Sequence, residues 1–279
     1  MKKLAVIAGQ GHLPVDIATA ARNDGLDVLV LELDGYADAD FSAFDSQLVK
    51  LGSIATTRDA MQAHGCDCVV MAGKVTRPSL TGLLPDADAL KLLGKAIRKG
   101  DDGLLRLISD YFAEVGVESV QPTVFMPDRL VAPGSVSDAG ADPAGLHSDI
   151  QLAKEVLGSL STFDVGQSII VQDGRVMAIE AAEGTAAMLD RAAQVIDPSG
   201  PAAILVKLPK DWQDMRLDMP VIGLETITQA VQAGIGLIAI AADGVLLADP
   251  PEAIRAHCVE QKVSLIGVAG ENDSATGNR

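Results

Sequence analysis

Short apolar segments alternate with amphipathic ones through the first half of the chain. Leu4–Ala8, Val28–Leu33 and Cys68–Ala72 are almost wholly apolar, as expected of strands that are buried on both faces of a parallel sheet. The segments Pro14–Asn23 and Thr57–His64, which lie between them, have helical character. This alternation predicts an α/β fold with a mostly parallel sheet that is covered by helices on both faces.

The pattern changes near the middle of the chain. Val131–Gly145 is rich in Ala, Gly, Pro and Ser, which is the composition of a linker. Beyond it, Gln167–Gln172 and Arg175–Ala181 are joined by an Asp-Gly turn, a strong signal for a β-hairpin. We therefore predict an N-terminal domain over 1–130, an exposed linker over 131–145, a second α/β domain over 146–270 and a disordered tail over 271–279.

Composition excludes several classes of protein. Hydrophobic residues make up 48% and charged residues 22%, as in ordinary globular domains, and aromatic residues only 3%. The net charge of −16 argues against a nucleic-acid-binding protein and against a polybasic membrane clamp. Three cysteines without a CxxC pair exclude a disulfide scaffold and fit the reducing cytoplasm. The longest uncharged run, Thr226–Ala242, is shorter than the ~20 residues of a membrane span.

The turn after the first predicted strand carries the first candidate site. Gly9 and Gly11 let a phosphate approach backbone N–H groups, and the N-terminus of the following helix favours an anion. Pro14 replaces the third glycine of a dinucleotide fingerprint, so that fingerprint is incomplete. We interpret this turn, which includes His12, as a nucleotide or phosphate site rather than a plain strand–helix turn. Lys74 follows the third strand and is suited to polyphosphate oxygens.

A second candidate is the alternation of Asp214, Arg216 and Asp218 with Met and Leu. In a strand, this period of two places the three charged side chains on one face. Two carboxylates that flank an arginine could bind a metal ion, position a water molecule and neutralise phosphate charge. The alternative is an exposed strand face with an ion pair, and the alternation alone favours neither.

A third candidate lies at the start of a predicted helix. Gly184 and Thr185 offer an N–H and a hydroxyl to a phosphate, and Glu183 could be a metal ligand, although an N-terminal cap explains the same residues. Lys207, at the end of a predicted strand, would add positive charge. Thr226, with a glutamine three residues later, predicts a capping box for another helix.

Several stretches match the sequence pattern of one family in their order and spacing. They are GQGHLP at Gly9–Pro14, AGKVTRP at Ala72–Pro78, GDDGLLR at Gly100–Arg106, VGQSIIV at Val165–Val171, IEAAEGTAAML at Ile179–Leu189 and QDMRLDMPVIGLETI at Gln213–Ile227. The chain resembles the UDP-2,3-diacylglucosamine pyrophosphatases of lipid A biosynthesis, the type unrelated to calcineurin-like phosphoesterases. The resemblance implies a Rossmann-like N-terminal domain, a linker and a second α/β domain.

It also implies an Mg²⁺-dependent hydrolase. Water would attack the diphosphate of UDP-2,3-diacylglucosamine and release UMP and 2,3-diacylglucosamine 1-phosphate (lipid X). The implied catalytic residues are Asp218, Asp214 and Arg216, and the implied metal ligands are Asp218 and Asp214. The implied substrate-binding residues are Gly9, Gly11, His12, Lys74, Gln167, Ser168, Glu183, Gly184, Thr185, Lys207 and Thr226. We expect a cytoplasmic protein. The acyl chains of the substrate are compatible with peripheral contact between the protein and the inner membrane. A homodimer is also compatible with the sequence.

Two other classes remain open on the sequence. A nicotinamide-dependent oxidoreductase is suggested by Gly9, Gly11 and Glu32, but Pro14 and the acidic segment argue against it. A non-enzymatic sensor of nucleotide sugars or lipids would keep the glycine-rich turn and would not need the Asp-Arg-Asp pattern.

Overall fold

The computed structural model describes residues 1–75, 85–96 and 100–269, without the side chains of 95, 96 and 100–102. Contacts divide the chain into two units. The N-terminal unit comprises Met1–Pro127 together with Asp214–Met219, and the C-terminal unit comprises Asp128–Gln213 together with Pro220–Arg279. The first boundary lies close to the predicted one, whereas the return of 214–219 to the N-terminal unit was not predicted. The predicted tail lies outside the described residues.

The N-terminal unit contains a five-stranded parallel sheet, which confirms the predicted fold class. Its strands are β1 (Lys3–Ala8), β2 (Asp27–Leu33), β3 (Asp45–Val49), β4 (Cys68–Ala72) and β5 (Glu118–Ser119). Their order is β3-β2-β1-β4-β5. Five strands of a Rossmann sheet have the same order, with the switch point between the first and fourth strands, and the sheet is Rossmann-like in this sense.

In the described residues of this unit, four α-helices accompany the sheet. They are α1 (Leu13–Asn23), α2 (Ile54–Ala63), α3 (Ala87–Ala96) and α4 (Gly100–Ala113). Met61 of α2 and Phe112 of α4 are fully buried in one core cluster with Leu29 and Leu31 of β2. Since few aromatic residues are available, this core is built mainly from aliphatic side chains.

The C-terminal unit is built on a six-stranded mixed sheet of order β6-β13-β11-β9-β7-β8. Its strands are β6 (Gly134–Asp138), β7 (Ser168–Gln172), β8 (Arg175–Ile179), β9 (Ala203–Lys207), β11 (Ile235–Ala241) and β13 (Ser264–Val268). β9, β11 and β13 are parallel, and the other pairs are antiparallel. A separate parallel pair is formed by β10 (Val221–Ile222) and β12 (Leu246–Leu247).

Helices pack against this sheet in two clusters. They are α5 (His147–Ser161), α6 (Gly184–Ala192), α7 (Leu224–Gln232) and α8 (Pro251–Gln261). α5 shares one core cluster with alternate residues of β7 and β9, while α6, α7 and α8 share another. None of the helices in the described part of the chain combines the length and the apolar character needed to span a bilayer.

The predicted hairpin is confirmed. β7 and β8 pair antiparallel across Asp173 and Gly174, which have φ values of 51° and 70°. Positive φ at both central residues is what a type I′ turn requires, and Asp-Gly is one of the sequences that tolerate it.

The segment 131–145, predicted as an exposed linker, is mostly exposed but belongs in part to the C-terminal sheet. This segment contains β6, which pairs with β13, and the side chains of Val131 and Ser137 are buried. The small residues serve close packing rather than flexibility. A Cβ atom on Gly140 would lie 2.5 Å from the carbonyl oxygen of Gly236, so only glycine fits where these backbones meet.

Candidate active site

The glycine-rich turn lies at the carboxyl edge of the N-terminal sheet. β1 and β4 are neighbours there, and the strand order reverses between them, which makes this the topological switch point where ligands bind in open α/β sheets. Gln10 and Lys74 exchange two backbone hydrogen bonds of 3.0 Å. The structure therefore brings Gly9, Gly11 and His12 close to Lys74, as the sequence predicts for one site.

The amide of Gly11 is already engaged. Its N–H donates a 2.7 Å hydrogen bond to Oδ1 of Asp38, in the loop after β2. His12, at the N-cap of α1, is exposed and makes no side-chain capping bond. A carboxylate thus occupies the donor that the sequence assigns to a phosphate. The sequence analysis missed Asp38, and its position after β2, where a ribose partner lies in dinucleotide folds, was the available signal.

The segment around Asp214 is a turn, so its prediction as a strand is wrong. Oδ1 of Asp214 accepts from the N–H of Arg216 at 3.2 Å, and its carbonyl accepts from the N–H groups of Leu217 (2.9 Å) and Asp218 (3.1 Å). An aspartate that bonds to backbone two residues ahead forms an Asx turn, which competes with extended structure. Asp214, Arg216 and Asp218 are therefore close neighbours through a tight turn and not through a strand face.

Asp214 and Arg216 form a two-bond ion pair. Nε and Nη2 of Arg216 donate to the two carboxylate oxygens at 2.9 and 2.7 Å. This hydrogen bonding holds the pKa of the Asp214 carboxyl below its ordinary value, against the opposing effect of burial, and Arg106 lowers it further. Because both carboxylate oxygens of Asp214 bind the guanidinium of Arg216, the main partner of each side chain is the other. Asp218, by contrast, is exposed.

Charges from α4 and β5 surround this turn. The pKa of Arg216 is raised, first by its hydrogen bonds to Asp214 and also by the charges of Glu118 and Asp110. Both acidic residues belong, like the turn, to the N-terminal unit. Sequence reasoning missed them because their contact with residue 216 is remote along the chain and has no local pattern.

The C-terminal unit gathers a second group of candidate residues. Lys207 is buried at the end of β9, and its Nζ lies 3.1 Å from Oγ1 of Thr185 and 3.4 Å from Oγ of Ser168. β7 and β9 pair Ser168 directly with Lys207, which explains why residues far apart in sequence meet. Gln167, next to Ser168, bonds through its carbonyl to the N–H of Leu208 at 2.9 Å.

The start of α6 contributes Thr185 to this group. Glu183 is the N-cap residue, and Gly184 has a φ of 83°. The carboxylate of Glu183 pairs with Arg191, and hydrogen bonds from its own backbone N–H and from Arg191 lower its pKa. Glu183 is thus engaged within the helix. Thr185 lies inside the first turn, where its hydroxyl donates to Oε1 of Glu180 at 2.9 Å.

Thr226 does not cap its helix, so the predicted capping box is wrong. α7 begins at Leu224, and the N–H of Leu224 donates to Oδ2 of Asp249 at 2.9 Å. A carboxylate from a distant loop supplies this cap, for which the local sequence holds no signal. Thr226 lies half-buried within α7, and no contact shown by the structure links it to the group around Lys207.

The side chains of these groups differ in how well they suit the expected magnesium ion as ligands. Among the described residues, no three His, Cys, Asp or Glu side chains are grouped to hold a metal ion. Mg²⁺ is, however, commonly bound by one or two carboxylates together with substrate phosphates. Asp218 fits that requirement, whereas Asp214 does not fit while Arg216 holds both its oxygens.

Comparisons with known proteins cover both units. Residues 3–129 match the model of the LpxI N-terminal domain, and residues 134–266 match that of the LpxI C-terminal domain. The chain is 36% identical over 276 residues to the UDP-2,3-diacylglucosamine pyrophosphatase LpxI of Caulobacter vibrioides, over 96% of this chain and 98% of the relative. A solved structure, the biotin carboxylase subunit of pyruvate carboxylase, shares 13% identity at a TM-score of 0.25, over 70% of this chain and 41% of that one, which is too slight to indicate a shared fold. The chain belongs to the LpxI family.

Proposed function

We propose that this protein hydrolyses the pyrophosphate bond of UDP-2,3-diacylglucosamine in lipid A biosynthesis and releases UMP and 2,3-diacylglucosamine 1-phosphate. The observation that carries the proposal is family membership along nearly the whole chain, with a relative named as that pyrophosphatase. It favours this activity over the oxidoreductase and sensor alternatives.

The reaction exchanges one phosphorus–oxygen bond for another. A water oxygen forms a bond to the phosphorus nearer the sugar, and the bond from that phosphorus to the bridging oxygen breaks. The bridging oxygen leaves with UMP, and the water oxygen stays on the sugar phosphate. Both phosphate groups of the substrate are negatively charged, so the protein must neutralise their oxygens and orient the water.

The group around Lys207 is suited to a phosphate. It combines a buried ammonium with the hydroxyl oxygens of Ser168 and Thr185, which accept from it and hold it next to the start of α6. Hydrogen-bond donors held in a buried place stabilise developing negative charge more strongly than donors in water. We assign this group to binding one phosphate of the diphosphate.

Asp218 is the residue to which we assign the attacking water. It is exposed, and its backbone N–H donates to the carbonyl oxygen of Asp214, which fixes its position within the turn. Mg²⁺, when bound with the diphosphate, would supply charge neutralisation, and Asp218 is the carboxylate that fits it. Asp214 and Arg216 then position this turn rather than contact phosphate.

The turn at Gly11 and Lys74 is assigned to the nucleotide half of the substrate. Lys74 is exposed beside the turn, and Asp38 provides a carboxylate that can accept hydrogen bonds from ribose hydroxyls. Since the two acyl chains of the substrate favour a bilayer, we also propose peripheral contact with a lipid surface during substrate uptake.

The test is the release of UMP from purified substrate, with Mg²⁺ and with EDTA. We expect turnover with Mg²⁺, none in EDTA and recovery when Mg²⁺ or Mn²⁺ is restored. In ¹⁸O-labelled water the label should enter the sugar phosphate and not UMP. No release of UMP under any metal condition would overturn the proposed activity, full turnover in EDTA would overturn the metal, and label in UMP would move the attack to the other phosphorus.

A further inference from the structure

A directed chain of hydrogen bonds runs through the buried end of β9. Nζ of Lys207 lies within hydrogen-bond distance of the hydroxyls of Thr185 and Ser168. An ammonium can only donate, so both hydroxyl oxygens accept. Thr185 has a single hydroxyl proton, and Oε1 of Glu180 accepts it at 2.9 Å. The direction of each bond from Lys207 to Glu180 is therefore fixed by chemistry.

Glu180 is held in place from its backbone. Its N–H donates to the carbonyl oxygen of Ser168 at 2.9 Å. A Cβ atom on Gly166 would lie only 2.0 Å from the carbonyl oxygen of Glu180, so the two backbones are in close contact. These contacts fix the backbone of Glu180, and the hydrogen bond from Thr185 holds its carboxylate.

Stability does not explain why the other carboxylate oxygen of Glu180 is buried. Oε2 is buried and has no hydrogen-bond partner among the residues that the structure describes. A buried polar atom without a partner destabilises the folded protein, because no hydrogen bond offsets its loss of hydration. Groups left in this state call for an explanation, and a role in the site is one of the recognised explanations.

We infer that Glu180 is a positioning residue, which acts through Thr185 to hold the ammonium of Lys207 in one orientation for phosphate binding. This inference rests on the proposed function of the same site. Without the carboxylate, the Thr185 hydroxyl can rotate, and its proton then points toward the ammonium or toward a phosphate oxygen. Lys207 would lose an acceptor of fixed direction while keeping its charge.

The expected effect falls on the chemical step. A charged group that moves by about 1 Å can reduce the rate by about 10²-fold, because its benefit depends on alignment in the transition state. For Glu180→Ala and Thr185→Val we expect kcat to fall by about 10-fold to 10²-fold, with a much smaller change in KM. Thr185→Ser keeps the hydroxyl and should retain most of the activity. Glu155→Gln, at an exposed glutamate of the same unit, is the matched control and should leave turnover unchanged.

A readout independent of turnover is the ¹H–¹⁵N correlation spectrum of lysine ammonium groups in the intact protein. The Lys207 signal, assigned as the one lost in Lys207→Arg, should be slow in exchange in the wild type and in Thr185→Ser. It should broaden or disappear in Glu180→Ala and Thr185→Val, with folding checked by circular dichroism. If it persists unchanged in either folded variant, or if kcat is unchanged there, the inference is overturned.

The design separates this inference from the proposed function. A wild-type protein that releases no UMP would refute the pyrophosphatase activity, while the spectrum would still report whether Glu180 orders Lys207. If Glu180→Ala fails to fold, Thr185→Val, which has the shape of threonine without its hydroxyl, serves as the second variant with Thr185→Ser as its control, and an unchanged Lys207 signal in Thr185→Val overturns the inference.

Discussion

Gly9 and Gly73 pack backbone against backbone at the switch point of the N-terminal sheet. A Cβ atom on Gly73 would lie 2.7 Å from the carbonyl carbon of Gly9, and one on Gly9 would lie 2.8 Å from the carbonyl oxygen of Lys74. These glycines serve first to bring two loops together. This close approach fixes the backbone on which His12 and Lys74 follow.

Gly73→Ala should therefore destabilise the protein strongly. Its φ of 89° costs an alanine about 1 kcal/mol, and the overlap with Gly9 adds about 1–3 kcal/mol. Gly25→Ala is the control, since Gly25 has a φ of 84° and open space where its Cβ would lie. We expect urea unfolding to show a larger loss for Gly73→Ala. Equal losses would show that the loops can move apart at no cost.

The ion pair of Asp214 with Arg216 predicts a pH dependence. The pKa of Asp214 is lowered in the folded protein, so its stabilising effect is complete above the ordinary value of 3.8 and is lost as pH falls through the folded pKa. Asp214→Asn should lower Tm at neutral pH, and the difference from the wild type should vanish as the pH falls below 3.8. Asp211→Asn, at an exposed aspartate, should show little difference at any pH. A difference that persists in acid would indicate that the turn depends on shape rather than charge.

Asp218→Ala should separate catalysis from binding. If Asp218 positions the water or the metal, its contribution falls on the transition state, and kcat should fall by about 10² or more while the substrate still binds. Calorimetry measures binding, and circular dichroism checks the fold. Asp211→Ala should retain wild-type turnover. Retention of more than a third of kcat in Asp218→Ala would remove it from the mechanism.

The three cysteines should be unreactive in the folded protein. Burial raises the pKa of the thiols of Cys66 and Cys258 to about 11 and that of Cys68 to about 12, and nearby Asp67 adds to the shift of Cys68. Since the thiolate is the reactive form, DTNB at pH 8 should react about 100-fold or more slowly than in denaturant. Rapid reaction of one thiol under native conditions would reveal local opening around that residue.

The regular parts of the fold follow from the sequence because their signals are local. The apolar runs of β1, β2 and β4 predict buried parallel strands, and Asp173-Gly174 predicts a hairpin turn, as found. β5 is too short to be recognised from its sequence, and β6 is rich in small and polar residues that do not have the pattern of a strand. The alternation at Asp214 misleads because the Asp214 carboxylate accepts a hydrogen bond from the backbone N–H of Arg216, which no periodicity reveals.

The candidate site is predictable in its residue types and not in its connections. Thr185, Ser168 and Lys207 are each recognisable as polar groups near the ends of elements; strand pairing brings Ser168 and Lys207 together, and α6 adds Thr185. Other candidate residues have partners that their local sequence does not indicate. Asp38 at Gly11, Arg191 at Glu183 and Asp249 at the start of α7 are contacts that only the folded chain defines.

The return of Asp214–Met219 to the N-terminal unit bears on modularity and inheritance. The chain crosses from one unit to the other after Pro127, after Gln213 and after Met219. A fragment ending at Pro127 would lack the turn that carries Asp218, although it would keep α4 and β5, whose charges surround that turn. The N-terminal unit is thus not encoded by one continuous stretch, and a recombination event at Pro127 would transfer it without this turn.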